Sequence, residues 1–134
     1  MKKHLMHHLA ATFLLAAAVG IAPAYAEEVR SIDVKQAQMM KNQGGLLLDV
    51  REPNEYASGH APGSVLIPVG QLEKRLQEIR QFQDKPVAVI CRSGRRSAAA
   101  AEILQKAGFS DVKNVDGGML AWEQTGLRVV QGMK

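Results

Sequence analysis

The sequence predicts a single α/β domain with a mainly parallel central sheet and helices on both faces. Three observations support this prediction. Short apolar runs alternate with helical patterns along the chain. The runs LLLDV and PVAVI are continuously apolar, which is typical of strands buried on both faces. The length of 134 residues, with 46% hydrophobic and 22% charged residues, suits one globular domain.

The first half of the domain contains three predicted strands and one helix. VRSI is a short strand, and Asp33 with Gln36 three positions later predicts a capping box that starts a helix through about Asn42. Two glycines end this helix before the LLLDV strand. We expect REPNEYASGHAPGS, residues 51–64, to be a loop that leads into the short strand VLIPV.

The second half continues the alternation. Four apolar residues recur at helical spacing and predict one buried face: Leu72, Leu76, Ile79 and Phe82. PVAVI is the next strand, followed by a helix over residues 97–107 with Gly108 as its C-terminal cap. A strand near DVKNV and a short helix near MLAWEQT complete the domain.

Residues 1–26 have the pattern of a cleaved secretory signal peptide. Lys2 and Lys3 precede the apolar stretch LAATFLLAAAVGIA, and AYA ends at Ala26 with small residues at the cleavage positions. A membrane anchor needs about 20 apolar residues, and this stretch is shorter. We therefore expect a mature domain of residues 27–134 that is free in the periplasm and does not contact the membrane.

Charge and residue counts limit the function classes. The formal net charge of +4 falls to +2 when Lys2 and Lys3 are removed with the signal peptide. So small a charge argues against a nucleic-acid partner. The mature chain has one cysteine and one histidine, so we expect no metal site and no cofactor. The informative basic residues are local, in one loop: Arg92, Arg95 and Arg96.

Cys91, the only cysteine, stands where the PVAVI strand ends. Ligands of parallel sheets bind beyond the carboxyl ends of the strands, so we expect chemistry at this position. An unperturbed thiol has a pKa of about 8.5 and is mostly neutral at pH 7. Lowering the pKa by two units needs about 2.7 kcal/mol. We expect the helix N-terminus near Ser97 and the three arginines of the loop to supply it.

The loop itself is a candidate anion-binding concavity. Gly94 lies at its middle, where a tight curve requires a positive φ or a close backbone approach, and successive N–H groups can then point inward. The alternative is an inert buried cysteine beside surface arginines, since most free cysteines are core residues. The position at a strand end, the glycine and the arginines favour a reactive thiol without specifying the reaction.

Asp49 and Arg51 are candidate supporting residues. They follow the LLLDV strand and should face the same rim of the sheet as Cys91. Asp49 either orients an arginine of the cysteine loop or has only a local role, as part of a loop salt bridge or as a turn residue, and both interpretations stay open. His60 lies in a turn-rich segment, where we expect a structural hydrogen bond rather than a general base.

Three stretches of the chain resemble the signatures of one known family. CRSGRRS resembles the active-site loop of rhodanese-type sulfurtransferases, LLLDVREPNEYASGHAPGSVLIPV resembles their upstream motif, and VDGGMLAW their C-terminal motif. The resemblance covers roughly residues 31–127. With the export signal, it is greatest to single-domain periplasmic rhodaneses of the phage-shock-protein E type.

The resemblance implies thiosulfate sulfurtransferase activity of the thiosulfate:cyanide type. The Cys91 thiolate takes the outer sulfur of thiosulfate, becomes a persulfide, and passes the sulfur to cyanide or a cellular thiol. Family position ranks Arg92 and Arg96 as loop scaffold and leaves Arg95 to meet the substrate. The implied substrate-binding residues are Arg92, Ser93, Gly94, Arg95 and Arg96.

Other functions must be weighed against this one. A persulfide carrier that delivers sulfur to a partner protein needs the same loop, so the sequence does not separate it from an enzyme. The complete loop counts against a non-enzymatic stress-response interaction domain. The active-site motif of related phosphatases has five residues between its cysteine and its arginine, whereas four residues separate Cys91 from Arg96. The shorter loop counts against a phosphatase.

Overall fold

The computed structural model describes residues 28–133 and the single residue Thr12, so the predicted signal peptide otherwise lies outside the described residues. One five-stranded sheet organises the domain, and all pairings between its strands are parallel, in the order β1-β5-β4-β2-β3. This confirms the predicted α/β class. The strands are β1 (Arg30–Ile32), β2 (Leu46–Asp49), β3 (Val65–Leu66), β4 (Pro86–Ile90) and β5 (Asp111–Val115).

Helical segments connect the strands: α1 (Val34–Asn42), α2 (Pro53–Ser58), a 3₁₀ turn (Val69–Gln71), a 3₁₀ helix (Glu73–Phe82), α3 (Arg95–Lys106) and α4 (Gly118–Gln124). The predicted capping box is present at the start of α1. The Asp33 carboxylate accepts from the Gln36 amide at 2.8 Å, and the Gln36 side chain accepts from the Asp33 amide at 3.0 Å. The cap satisfies two N–H groups that lack helical partners.

The prediction of a continuous loop over residues 51–64 is wrong, because α2 lies inside it. Pro53 occupies the first turn of this helix, where a missing N–H costs nothing. The Glu55 side chain accepts from the Glu52 amide at 3.2 Å and closes the helix start. The strand predicted over VLIPV is also shorter, since only Val65–Leu66 pairs with β2.

The predicted start of the third helix is two residues too late. Helix α3 begins at Arg95 rather than at Ser97. Gly94 precedes it with a φ of +110°, in the left-handed region that glycine adopts without steric cost. The chain therefore turns from β4 into α3 within four residues, and Arg95 and Arg96 belong to the first turn of the helix.

Two apolar layers pack on opposite faces of the sheet, as the alternation of side chains along a strand requires. Leu46, Leu48 and Val89 lie in the layer beneath α3 and the 3₁₀ helix. Leu47 and Ile90 lie in the layer beneath α1 and α4. Helices thus cover both faces. Among the described helices, none combines the length and apolar character that crossing a membrane requires.

The strand order reverses between β2 and β4. The chain continues from β2 to β3 on one side of this point and from β4 to β5 on the other. Ligand sites of open parallel sheets form at the carboxyl ends of strands where the order reverses. Cys91 follows β4 and Arg51 follows β2, so the topology brings the two predicted groups to this point.

Candidate active site

The loop after β4 closes around the sulfur of Cys91. The Gly94 amide donates to Sγ at 3.0 Å, and the Ser97 hydroxyl oxygen lies 3.2 Å from Sγ. Cys91 is only 1% exposed, and its other side packs into the apolar layer beneath α3. The sulfur therefore lies between hydrocarbon on one side and inward-pointing polar donors on the other.

Opposing effects set the pKa of the Cys91 thiol. Burial is the largest single influence and raises the pKa, because it disfavours the thiolate. A hydrogen bond from the Ser97 hydroxyl and bonds from the amides of Ser97, Gly94 and Ser93 together outweigh burial and lower the pKa. The expectation that arginine charge supplies much of this effect is corrected, since these uncharged donors rank ahead of any guanidinium.

The three arginines of the CRSGRRS motif have different environments. Arg96 forms a two-pronged ion pair with Glu55 of α2, with N–O distances of 2.6 and 2.8 Å. This bond lowers the pKa of Glu55 to about 2. Arg92 and Arg95 are exposed, and their side chains have no hydrogen bond or ion pair within the described part of the chain. One guanidinium is therefore fixed, and two are available to an anion.

A buried ion pair joins the last residue of β2 to the loop that follows it. Asp49 is 0% exposed and Arg51 is 6% exposed, and their closest N–O distance is 2.7 Å. The Arg51 guanidinium also donates to the carbonyl of Gly59 at 2.9 Å. Of the two interpretations left open for Asp49, the structure thus shows the salt bridge within its own loop. Its partner is Arg51 rather than an arginine of the Cys91 loop.

A cavity of about 290 Å³ adjoins the Cys91 loop between α2 and α4. Its lining includes Arg92 of the loop, Glu55 of α2, and Met119 and Leu120 of α4. The backbone of α4 is tied to the loop, because the Met119 amide donates to the Cys91 carbonyl at 2.8 Å. A larger cavity of about 530 Å³ includes Pro86 and lies at the opposite edge of the sheet, away from the thiol.

His60 has the structural environment that its position predicts. Its ring stacks on Tyr56 with 3.6 Å between ring centroids, and its Nδ1 donates to the Tyr56 carbonyl at 2.8 Å. Over the residues that the structure describes, no group of three His, Cys, Asp or Glu side chains is arranged to hold a metal ion.

Similarity to known proteins identifies the family. The model of the Rhodanese-like domain matches residues 33–125, which is more than half of the chain. The chain belongs to the rhodanese family. It is 40% identical over 98 residues to the thiosulfate sulfurtransferase GlpE of Pseudomonas syringae pv. syringae, an alignment that covers 73% of this chain and 91% of that protein. The predicted family is confirmed.

Two further relatives of this rhodanese-family chain are informative. The putative sulfur carrier protein YrkF of Bacillus subtilis is 47% identical over 76 residues, which cover 57% of this chain and 40% of YrkF. The crystal structure of a rhodanese-related protein from Thermoplasma volcanium matches with a TM-score of 0.68 and 37% identity, over 75% of this chain and 97% of that one. Together these similarities support sulfurtransferase activity in general.

Three polar residues of the site were not assigned a role from the sequence. Glu55 holds Arg96, Ser97 contacts the sulfur, and Asn114 of β5 accepts from the Ser97 hydroxyl at 2.6 Å. Ser97 ends the CRSGRRS motif, and EPNE marks a helix start, so both residues carried a sequence signal. Asn114 lies inside a strand pattern without such a signal.

Proposed function

We propose that this rhodanese-family chain is a thiosulfate sulfurtransferase that works through a persulfide on Cys91. The observation that carries the proposal is the loop after β4, which directs the Gly94 amide and the Ser97 hydroxyl at the only thiol of the chain. These donors favour the thiolate, and the thiolate is the nucleophilic form of cysteine.

The proposed first step transfers one neutral sulfur atom. An electron pair of the Cys91 thiolate forms a bond to the outer sulfur of thiosulfate. The sulfur–sulfur bond of thiosulfate breaks, and its electron pair leaves with sulfite. The products are an enzyme persulfide with one negative charge and a sulfite dianion, so the total charge of −3 is conserved by the general balance of such exchanges. Cyanide or a thiolate then attacks the outer sulfur and regenerates the Cys91 thiolate.

The charges around the loop suit this substrate. Thiosulfate is a small dianion, and the exposed guanidinium groups of Arg92 and Arg95 belong to residues close to Gly94 in the sequence. Arg96 is held by Glu55 and supports the loop from α2. Inward amides stabilise the negative outer sulfur of the persulfide, in the way that preorganised donors stabilise other anions. Asp49 and Arg51 support the neighbouring loop.

Intact mass spectrometry after incubation with thiosulfate tests the proposal. The protein should gain about 32 Da, one sulfur atom, as a persulfide. Cys91→Ser should abolish the gain, whereas Arg95→Ala should reach the same final mass more slowly. Loss of the gain in Cys91→Ser, with retention in Arg95→Ala, assigns the sulfur to Cys91. A wild-type protein that gains no mass contradicts the proposal.

A persulfide carrier is the second candidate, favoured by the identity to the putative sulfur carrier YrkF. A carrier loads sulfur but releases it slowly to small acceptors and readily to a partner protein. Steady-state turnover with thiosulfate and cyanide separates the candidates. Many turnovers per molecule support the enzyme, and a single loading event without turnover supports the carrier.

We also propose export to the periplasm, on the pattern of residues 1–26. Expression of the full chain in a Gram-negative host, followed by periplasmic extraction and N-terminal sequencing, tests it. The expected N-terminus is Glu27. An uncleaved chain that stays in the cytosolic fraction contradicts the proposal.

A further inference from the structure

A closed ring of hydrogen bonds passes through the sulfur of Cys91. The Gly94 amide donates to Sγ at 3.0 Å, and the Gly94 carbonyl accepts from Asn114 Nδ2 at 3.3 Å. Asn114 Oδ1 accepts from the Ser97 hydroxyl at 2.6 Å, and Ser97 Oγ lies 3.2 Å from Sγ. Each of the four residues thus contacts two others of the ring.

The orientation of the Asn114 amide follows from its neighbours. Asn114 of β5 pairs with Val89 of β4, which precedes Cys91 by two residues. The sheet therefore fixes the backbone of Asn114 near the thiol. The reversed amide would place Oδ1 against the Gly94 carbonyl, and two acceptors would then face each other. Asn114 therefore presents an acceptor to Ser97.

The Ser97 hydroxyl has one hydrogen and two acceptors to serve. When Cys91 is a neutral thiol, S–H donates to Ser97 Oγ and the hydroxyl donates to Asn114, so every group of the ring has a partner. When Cys91 is a thiolate, both the sulfur and Asn114 Oδ1 are acceptors. The hydroxyl can then bond to only one of them at a time.

We propose that Asn114 is a positioning residue that competes with the Cys91 thiolate for the single Ser97 hydroxyl hydrogen. The inference rests on the proposed sulfur transfer for its purpose. A thiolate that receives a strong hydrogen bond is more abundant but less nucleophilic, and the two properties oppose each other in sulfur exchange. Because Asn114 accepts the Ser97 hydroxyl hydrogen for part of the time, the thiolate is less strongly hydrogen-bonded and keeps more electron density for attack on thiosulfate.

The charged groups near the ring are separate from it. Arg92 lies on the same loop, Arg95 and Arg96 lie in the first turn of α3, and Glu55 of α2 is paired with Arg96. From β2, Asp49 and Arg51 pair with each other. Met119 is the neighbouring residue on α4, and it carries no charge. All of these groups stay unchanged in the variants below, so a difference between variants arises in the ring.

The test measures the rate of Cys91 alkylation by iodoacetamide against pH, using intact mass. Cys91 is the only cysteine, so the adduct reports this thiol alone. Ser97→Ala should raise the midpoint of the rate–pH curve by about one pH unit, because the thiolate loses a hydrogen-bond donor. Asn114→Ala and Asn114→Val should lower it by about half a unit, because the hydroxyl turns fully to the sulfur. Ser97→Thr, which keeps a hydroxyl, should stay near the wild-type value.

Two controls separate competition from loosening of the loop. Asn114→Asp loses the bond to Gly94, as Asn114→Ala does, but its carboxylate holds the hydroxyl more strongly and also repels the thiolate. Both effects should raise the midpoint, whereas loosening of the loop alone would shift the midpoints of Asn114→Asp and Asn114→Ala in the same direction. The double variant Ser97→Ala/Asn114→Ala should match Ser97→Ala alone, because without the hydroxyl there is nothing to compete for. Thermal unfolding verifies that each variant is folded.

Two outcomes would overturn the inference: an unchanged or raised midpoint in both uncharged Asn114 variants, or a double variant whose shift is the sum of the single shifts. Alkylation requires no sulfur donor. The thiosulfate mass gain, measured on the same samples, therefore reports independently on the proposed function. If the protein gains the mass of one sulfur from thiosulfate but the alkylation midpoints do not shift as expected, the proposed role of Asn114 is contradicted and the proposed sulfur transfer is not.

Discussion

Two loops leave neighbouring strands at the same edge of the sheet, and they hold negative charge in opposite ways. After β2, the buried carboxylate of Asp49 is matched by the guanidinium of Arg51 at 2.7 Å. After β4, the sulfur of Cys91 is held by uncharged groups, the Gly94 amide, which donates to it at 3.0 Å, and the Ser97 hydroxyl oxygen at 3.2 Å. Both sites also use a backbone amide, that of Arg51 for Asp49 and that of Gly94 for Cys91, so the difference between them lies in the buried counter-charge.

The difference follows from whether the charge is permanent. A buried carboxylate that never reacts requires a counter-charge, because an isolated buried ion is costly. The Cys91 sulfur, by contrast, is a thiol, a thiolate or the inner atom of a persulfide at different moments of the proposed reaction. A guanidinium in contact with it would lose its counter-charge whenever the sulfur became neutral. Amide and hydroxyl dipoles tolerate both states, and the arginines lie farther out.

The largest effect is expected at the permanent charge. Asp49→Asn leaves the Arg51 guanidinium buried without a counter-charge and should reduce the free energy of unfolding by about 3 kcal/mol. Urea denaturation measures this loss. The fraction that stays folded should keep the alkylation midpoint of Cys91, because the Asp49 carboxylate bonds to Arg51 and not to the cysteine loop.

The double variant Asp49→Asn/Arg51→Met is the matched control. It removes both charges while Asn keeps an acceptor for the backbone amide at position 51, so part of the lost stability should return. A double variant less stable than Asp49→Asn would mean that the guanidinium bond to the Gly59 carbonyl matters more than the ion pair.

A smaller effect is expected at the main chain of the cysteine loop. Gly94 has a φ of +110°, and an added Cβ would meet its nearest atoms at 3.8 Å, so Gly94→Ala suffers backbone strain without a clash. The free energy of unfolding should fall by about 1–2 kcal/mol. The alkylation midpoint should rise, since the strained loop aligns the Gly94 amide less well with the sulfur.

Gly44→Ala is the control for this strain. Gly44 has a φ of +98° with no atom within 4 Å of an added Cβ, and it lies at the far end of α1. Its unfolding free energy should fall as much as that of Gly94→Ala, with the thiol unaffected. Equal alkylation midpoints in Gly94→Ala and Gly44→Ala would show that the Gly94 amide does not stabilise the Cys91 thiolate.

Sequence patterns were sufficient for most of the fold. Buried parallel strands are recognisable in the sequence as apolar runs, and the capping box at Asp33 predicted the start of α1 correctly. The errors lie at short segments. Helix α2 has six residues, of which only Tyr56 is buried, so no apolar periodicity could reveal it. Its Pro53 and Glu55 were nevertheless a signal of a helix start.

The site was only partly predictable for a different reason. The position of Cys91 at a strand end and the positive φ of Gly94 are local consequences of the sequence. The contacts of Glu55 with Arg96 and of Asn114 with Ser97 join residues 41 and 17 positions apart. Such pairs depend on how strands and helices pack, so a single sequence does not identify them.

The smallest effect is expected where the helices that follow the two loops meet, at Glu55 of α2 and Arg96 of α3. Their side chains are 26% and 35% exposed, so solvent screens the pair and Glu55→Gln should reduce the unfolding free energy by no more than about 1 kcal/mol. The pKa of Glu55 is lowered from 4.5 to about 2 by the bond to Arg96. The stabilisation is therefore complete above pH 4.5 and is lost as the pH falls toward 2.

Acid titration of stability checks the sign. The difference between wild type and Glu55→Gln should be constant above pH 4.5 and shrink below it. Glu78→Gln is the matched control, since Glu78 forms an exposed pair with Arg75 away from the thiol. Thiosulfate loading should slow by about two- to fivefold in Glu55→Gln, a barrier change below about 1 kcal/mol, and stay unchanged in Glu78→Gln. Normal loading in Glu55→Gln would show that Arg96 needs no fixed orientation, and that the uncharged donors suffice for the reaction.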